Sequence, residues 1–254
     1  MSPEVAVIVA HPGHELMIYH WIERHAPLYC CLTDGSGGNA ASRVPSTTRL
    51  LQGIGATPGP VYGRYADKAI YRLLLDRQVD VFVALATELA DALVAADVVC
   101  VAGDAVEGFN PVHDVCRIVI DAAIAMVRRR TGREIINYEF ALDSSPAAAM
   151  AAPPPGTQLL RLDDDALDRK MTAAFAYEEM RGEVEAAVAR FGRRAFAVEV
   201  LQPARAKRIL AGFEDEAPSY EQAGQQRVTE GIYSEIIRYR DHIQPVLHAM
   251  DAAG

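Results

Sequence analysis

Val5-Ala6-Val7-Ile8-Val9-Ala10-His11-Pro12-Gly13-His14-Glu15 decides the fold. Its first six residues are an unbroken apolar run, rich in β-branched side chains and too short for a core helix. Such a run reads as a parallel strand buried on both faces. Pro12 and Gly13 then turn the chain. From Glu15 to His25 the apolar residues Leu16, Ile18, Tyr19 and Ile22 recur at helical spacing, and Pro27 ends the run. The unit is strand, His-rich turn, helix.

Working outward, the pattern repeats. Leu28–Leu32 is a second strand, followed by the glycine-rich loop Thr33–Gly38. Ser46 is expected to cap a helix that Gly55 stops. Val61 and Tyr62 suggest a short strand, and Lys68–Leu75 and Asp80–Val94 suggest helices. Val98–Ala102 is a further buried strand, with a loop from Gly103 to Val112 and a helix from His113 to Arg130. Ile135–Phe140 is another strand. Strands alternating with helices predict an α/β fold with a doubly wound, mostly parallel, Rossmann-like sheet.

The expected organisation is a single α/β domain over 1–254, with a core at 1–143. Residues 144–156, which contain Ser-Ser-Pro, Ala-Ala-Ala and Pro-Pro-Pro, read as a linker or long loop. Residues 157–254 read as a mainly helical C-terminal extension. One long helix is expected over Asp163–Arg190, and another within Ser219–Leu247, with Pro245 near its end. This extension is expected to pack on the sheet or to form a lid or homo-oligomer contact.

The chain has 254 residues and a formal charge of −9, half of it apolar and 23% charged. The negative balance disfavours nucleic acid or an anionic membrane as the main partner. No apolar run reaches the roughly 18–20 residues of a membrane helix. The first residues lack the basic start and cleavage site of a secretory leader, so a cytoplasmic protein is expected. The four cysteines form no C-x-x-C pair and read as buried core residues of a reducing compartment.

In a parallel sheet, ligands bind beyond the carboxyl ends of the strands. His11 and His14 follow the first strand, and His113 follows Val98–Ala102. If the two strands are neighbours, the three imidazoles converge. Imidazole suits zinc, and three protein ligands leave a fourth position for water. His11, His14 and His113 are therefore the expected ligands of one divalent metal, most simply Zn2+. Thr33–Gly38 does not match G-x-G-x-x-G opening a helix, which argues against a nucleotide site. His20, His25, His242 and His248 lie in helical stretches without partner patterns and read as structural or exposed.

The stretch Val9-Ala10-His11-Pro12-Gly13-His14-Glu15 resembles the Ala-His-Pro-Asp-Asp-Glu signature of the LmbE-like, or PIG-L, zinc-dependent de-N-acetylase superfamily. Phe109-Asn110-Pro111-Val112-His113 resembles its second motif, Gly-His-Pro-Asp-His. Thr33–Gly38 resembles its Thr-x-Gly loop, and Thr48–Gly55 its Leu-Gly helix end. The likeness covers about residues 4–140. It implies a small polar substrate, such as an amino sugar, whose amide is hydrolysed by metal-activated water. It also implies that His11 and His113 match ligand histidines and that His14 stands where the family has a ligand aspartate. The general-base aspartate of the family corresponds to Gly13, and its oxyanion-stabilising histidine to Asn110.

A set of three histidines leaves the ion its full 2+ charge, so its water is expected to be more acidic than with two histidines and an aspartate. Loss of a base costs on the order of 10²–10⁴ in rate. Replacement acid–base groups are sought in the loop before His113, at Asp104 and Glu107, and at Asp34. Asn110 is the expected oxyanion donor, and Arg43 and Asp34 are candidates for binding substrate. Glu15 reads as a helix-terminal carboxylate or as support for a ligand histidine, and Asp67 as a structural cap. Tyr220, Arg227 and Arg238 read first as packing or surface residues. Two alternatives remain open. One keeps the fold and metal with lyase or cyclase chemistry; the other is a non-catalytic binding protein.

Overall fold

The computed structural model describes residues 4–37, 41–143 and 153–253. Seven strands among them form one sheet in the order β3-β2-β1-β4-β5-β7-β6. In chain order they are β1 (Val5–Val9), β2 (Leu28–Thr33), β3 (Thr57–Tyr65), β4 (Cys100–Asp104), β5 (Ile136–Phe140), β6 (Gln158–Arg161) and β7 (Val198–Pro203). The first five pair in parallel. β7 runs antiparallel to both β5 and β6. The order reverses between β1 and β4, where the chain leaves toward opposite sides and a crevice opens at the carboxyl ends.

β1 shows why the sheet is covered on both faces. Ala6, Ile8 and Ala10 join one apolar cluster, with Leu85, Leu89, Val119 and Val246. Val7 and Val9 join another, with Ile18, Trp21, Ile22 and Leu51. Successive strand residues point to opposite faces, so a run apolar at every position needs two cores. The helices are α1 (Tyr19–His25), α2 (Val44–Ile54), α3 (Asp67–Leu75), α4 (Val79–Ala95), α5 (Pro111–Thr131), α6 (Asp164–Ala176), α7 (Arg181–Phe191), α8 (Ala206–Gly212), α9 (Ser219–Thr229) and α10 (Gln244–Ala253). α5 is the central one, buried along most of its length. Between β1 and β4, a Cβ on Gly103 would lie 2.4 Å from the Ile8 carbonyl and 2.5 Å from Ile120 Cδ1. Only glycine fits there.

Several sequence expectations need correction. β4 starts two residues later than read and ends at Asp104, so Asp104 is a strand residue. The turn after β1 enters a 3-10 segment, His14–Ile18, before α1 begins. Ser46 lies inside α2 and does not cap it; its hydroxyl donates to Glu179 Oε2 at 2.7 Å. The expected helix 163–190 breaks at Tyr177, whose ψ of 91° leaves the helical region. Tyr177 is buried, with its hydroxyl 2.7 Å from Thr47 Oγ1 and 3.2 Å from the Arg43 carbonyl. Docking that side chain ends α6.

The second expected helix stops at Thr229, beyond which Gly231 adopts φ 73°. Pro245 opens α10 instead of ending a helix, at a position where its missing N–H is harmless. The C-terminal third also contributes β6 and β7, which sequence reading took for helical or linking chain. Of the expected linker, residues 144–152 lie outside the described residues. Among those described, no helix is long and apolar enough to cross a membrane.

Candidate metal centre at the β1/β4 crevice

The three histidines converge. Ring centres lie 5.3 Å apart for His11–His14, 5.0 Å for His11–His113 and 4.6 Å for His14–His113. Zn–N bonds of about 2.0–2.1 Å in a tetrahedral site put imidazole centres roughly 5 Å apart. The spacing therefore suits one ion. The donors do not yet stand as a finished site: among the described residues, no three His, Cys, Asp or Glu side chains are set to hold an ion as they lie. His11 Nε2 and His113 Nδ1 are buried without a hydrogen-bond partner. Buried polar nitrogens are normally satisfied, so two such atoms in one cluster fit the donor set of a metal ion.

Two histidines are held from behind. His11 Nδ1 lies 3.0 Å from Asp67 Oδ1, to which it donates, and 2.7 Å from Thr33 Oγ1. Asp67 opens α3, and its other oxygen accepts the Gly37 N–H at 2.6 Å. Burial alone would raise this carboxyl, but bonds from His11, Thr33 and Gly37 outweigh it and hold the pKa down at about 2. His14 Nδ1 lies 3.0 Å from each oxygen of Asp104, whose Oδ2 also accepts the Ala10 N–H at 2.7 Å. Burial depresses the pKa of His11 and, more strongly, of His113, which favours the neutral imidazole a metal needs. Two carboxylates stand one hydrogen bond behind His11 and His14. Asp67 was read as a cap and Asp104 as an acid–base group. An acidic residue at a strand end or helix start on this edge was the available signal.

Asn110 caps α5, its Oδ1 accepting the Val112 N–H at 2.9 Å. The Tyr71 hydroxyl donates to the same oxygen at 3.4 Å. With its oxygen engaged, the amide has its two N–H groups left to donate. Phe109 packs edge-on against His113 at 4.9 Å.

The remaining candidates are tied elsewhere. The Glu107 carboxylate accepts the Leu142 N–H at 2.7 Å and fastens the loop after β5. Asp34 Oδ1 accepts the Ser36 N–H at 2.9 Å within its own loop. The Arg43 side chain lies over Gly35 and reaches Glu183 Oε1 at 3.4 Å. Glu15 does not support a histidine. It is fully buried and accepts from the Gly13 N–H (2.7 Å), Tyr29 hydroxyl (2.6 Å) and Thr47 hydroxyl (2.6 Å). It thereby ties the His turn to α2 and, through Thr47, to Tyr177.

Gly13 has φ 107°, where L side chains are strained, and a Cβ there would sit 2.1 Å from Met180 Sδ. The place that the resemblance gives to a general base is filled by a thioether from the break between α6 and α7. No sequence signal marked Met180, because the break itself was not visible. The four cysteines are free and buried, as read.

No protein-family model matches the chain, and no curated protein matches it in sequence. Solved structures do. The zinc-inhibited form of the teicoplanin deacetylase Orf2 is 13% identical, with a TM-score of 0.52 over 78% of this chain and 96% of that one. A deacetylase–teicoplanin complex gives 13% identity and a TM-score of 0.52 over 78% and 97% of the two chains. The conserved protein TT1542 from Thermus thermophilus is 16% identical, with a TM-score of 0.50 over 79% and 92%. The chain therefore has the α/β fold of these deacetylases and of TT1542, the fold that the resemblance at His11–Glu15 implies.

Proposed function

We propose that this protein is a metal-dependent amide hydrolase of the de-N-acetylase type, acting on a small polar, amino-sugar-like substrate. The observation that carries the reading is the convergence of His11, His14 and His113, with His11 Nε2 and His113 Nδ1 buried and unpartnered at the sheet's switch point. The donor chemistry fits zinc, held by Nε2 of His11, Nε2 of His14 and Nδ1 of His113. Bound there, zinc supplies Lewis acidity and an acidified water.

The chain's own groups do the rest. Asp67 and Asp104 hold the Nδ1 protons of their histidines and so keep each Nε2 lone pair available. Asn110 donates an N–H to the substrate carbonyl oxygen as negative charge builds, a contribution of the oxyanion-hole kind. Phe109 packs its edge against His113, and the Met180 thioether fills the space beside Gly13. Glu107 and Asp34 each already accept a backbone N–H, so an acid–base role for either would share a carboxylate with a loop contact.

Fold analogy adds that one neighbour is a deacetylase in the biosynthesis pathway of teicoplanin, and a sugar amide is the substrate class to try first. The test is metal analysis of the purified protein together with a panel of N-acetylated amino sugars and related amides. Bound zinc, turnover, and loss of both in His11→Ala are expected. A folded, metal-free protein inert across the panel overturns the reading.

Gly13 and Met180 favour a second reading, in which the same centre runs lyase or cyclase chemistry that needs no base at residue 13. Comparison of metabolites with and without active protein separates the two.

A further inference from the structure

Asp104 is fully buried at the end of β4, with Oδ2 accepting the Ala10 N–H and both oxygens 3.0 Å from His14 Nδ1. Both Asp104 oxygens face N–H donors or His14 Nδ1, so the geometry places Nδ1 to donate and leaves Nε2 free for a ligand. We propose that Asp104 is a positioning residue that selects Nε2 as the donor atom of His14, and that the pair acts as one anionic unit. The inference rests on the metal reading above for its consequence, though not for its geometry. The His–Asp pair carries both the donor atom and the single negative charge that the resembled family places in one ligand carboxylate.

The pairing makes reciprocal demands. In Asp104→Asn the amide oxygen still accepts from Ala10, so β1 and β4 stay joined. Its NH2 then faces His14 Nδ1, which must become an acceptor. The imidazole proton moves to Nε2, and the metal-facing nitrogen is blocked. In His14→Asp a new, partly exposed carboxylate meets the buried Asp104, and the like charges oppose each other. Combining the two substitutions lets the introduced amide at position 104 donate to the new carboxylate and restores one negative charge.

The first measurement is the nitrogen signature of His14 by NMR in the metal-free wild-type protein. Nδ1 protonated and Nε2 bare is expected; the opposite tautomer overturns the proposal without any variant. Asp104→Asn is expected to reverse the tautomer and to weaken zinc binding, read by calorimetry, on the order of 10–100-fold. An unchanged tautomer or unchanged zinc affinity in that folded variant overturns it. The double variant should bind zinc at least about tenfold more tightly than His14→Asp alone, in the lower part of that range; no gain removes the one-unit claim. If the wild type shows the expected tautomer yet takes no zinc, the positioning stands and the metal reading falls.

Discussion

Two clusters of buried polar groups hold the segment His14–His25, one at His14 and the other at His20 and Trp21, and they are built on opposite plans. At the β1/β4 crevice, His11, His14 and His113 form a cluster in which two rings are supported from behind, while nitrogens facing the centre have no partner. On β7, Glu199 is saturated. Its oxygens accept the His20 and Trp21 N–H groups at 2.8 Å and Lys170 Nζ at 2.9 Å, and Lys170 also donates to the Met17 carbonyl at 2.9 Å. Both sites remove charge from water, which is tolerable only with partners. The closed cluster offers nothing to a ligand and serves to start α1 and join α6 to the sheet. The open cluster keeps donor capacity that the fold itself does not use. The two clusters are buried alike and differ in saturation.

The largest expected effect comes from breaking the closed cluster. Lys170→Met leaves Glu199 buried beside two N–H groups but without its counter-charge. A loss of about 3–5 kcal/mol in denaturant unfolding is expected. Zinc affinity per folded molecule should not change. A Lys170→Met protein of wild-type stability would show that the buried pair contributes no structural support.

Next is Gly13→Asp, which rebuilds the acidic residue that the resemblance places there. It forces a side chain into φ 107° and onto Met180 Sδ, and a destabilisation of about 2–4 kcal/mol is expected from strain and overpacking. Adding Met180→Ala should recover the overpacking part and leave the backbone strain. Thermal melts of the single and double variants check this. Equal stability of the two would mean that Met180 moves aside freely.

Much of the open cluster was legible in the sequence. Apolar runs with no polar alternation announced a doubly covered parallel sheet, and histidines that follow two such runs, His113 after a loop, were expected at one edge. Whether they met depended on β1 and β4 being neighbours, which is a pairing fact and leaves no local trace. The carboxylates behind the histidines were harder to see. Asp67 comes from α3, 56 residues from His11, and Asp104 from β4, 90 residues from His14. The closed cluster was missed with its strand. Val198–Gln202 places Glu199 in the interior, and a charged residue there reads as evidence against a buried strand until its partners are known. The break at Tyr177 was hidden for the same reason, since its partners Leu16, Thr47 and Arg43 are distant in sequence.

A smaller effect tests the open cluster directly. Excess zinc should stabilise the wild type by binding the native state, by about 2.7 kcal/mol at roughly a hundred times the dissociation constant. His113→Ala should unfold at a temperature indifferent to zinc, because it removes one of the two buried unpartnered nitrogens. A zinc-dependent shift that survives in His113→Ala would place the ion elsewhere.

The smallest expected effect concerns the strap that connects the two plans. Gly13 N–H, Glu15, Thr47 and Tyr177 form a buried chain from the His turn to the α6–α7 break that carries Met180. Tyr177→Phe deletes only its last hydroxyl. Thr47 keeps its bond to Glu15, while the Arg43 carbonyl loses the Tyr177 hydroxyl. A loss of about 0.5–1.5 kcal/mol is expected, the usual net worth of a hydrogen bond. The turn after β1 should hold, because Gly13 and Tyr29 still bind Glu15, so zinc affinity should change little. If Tyr177→Phe weakens zinc binding more than it weakens the fold, the strap positions the histidines, and the boundary drawn between the closed and open clusters would have to move to include Tyr177.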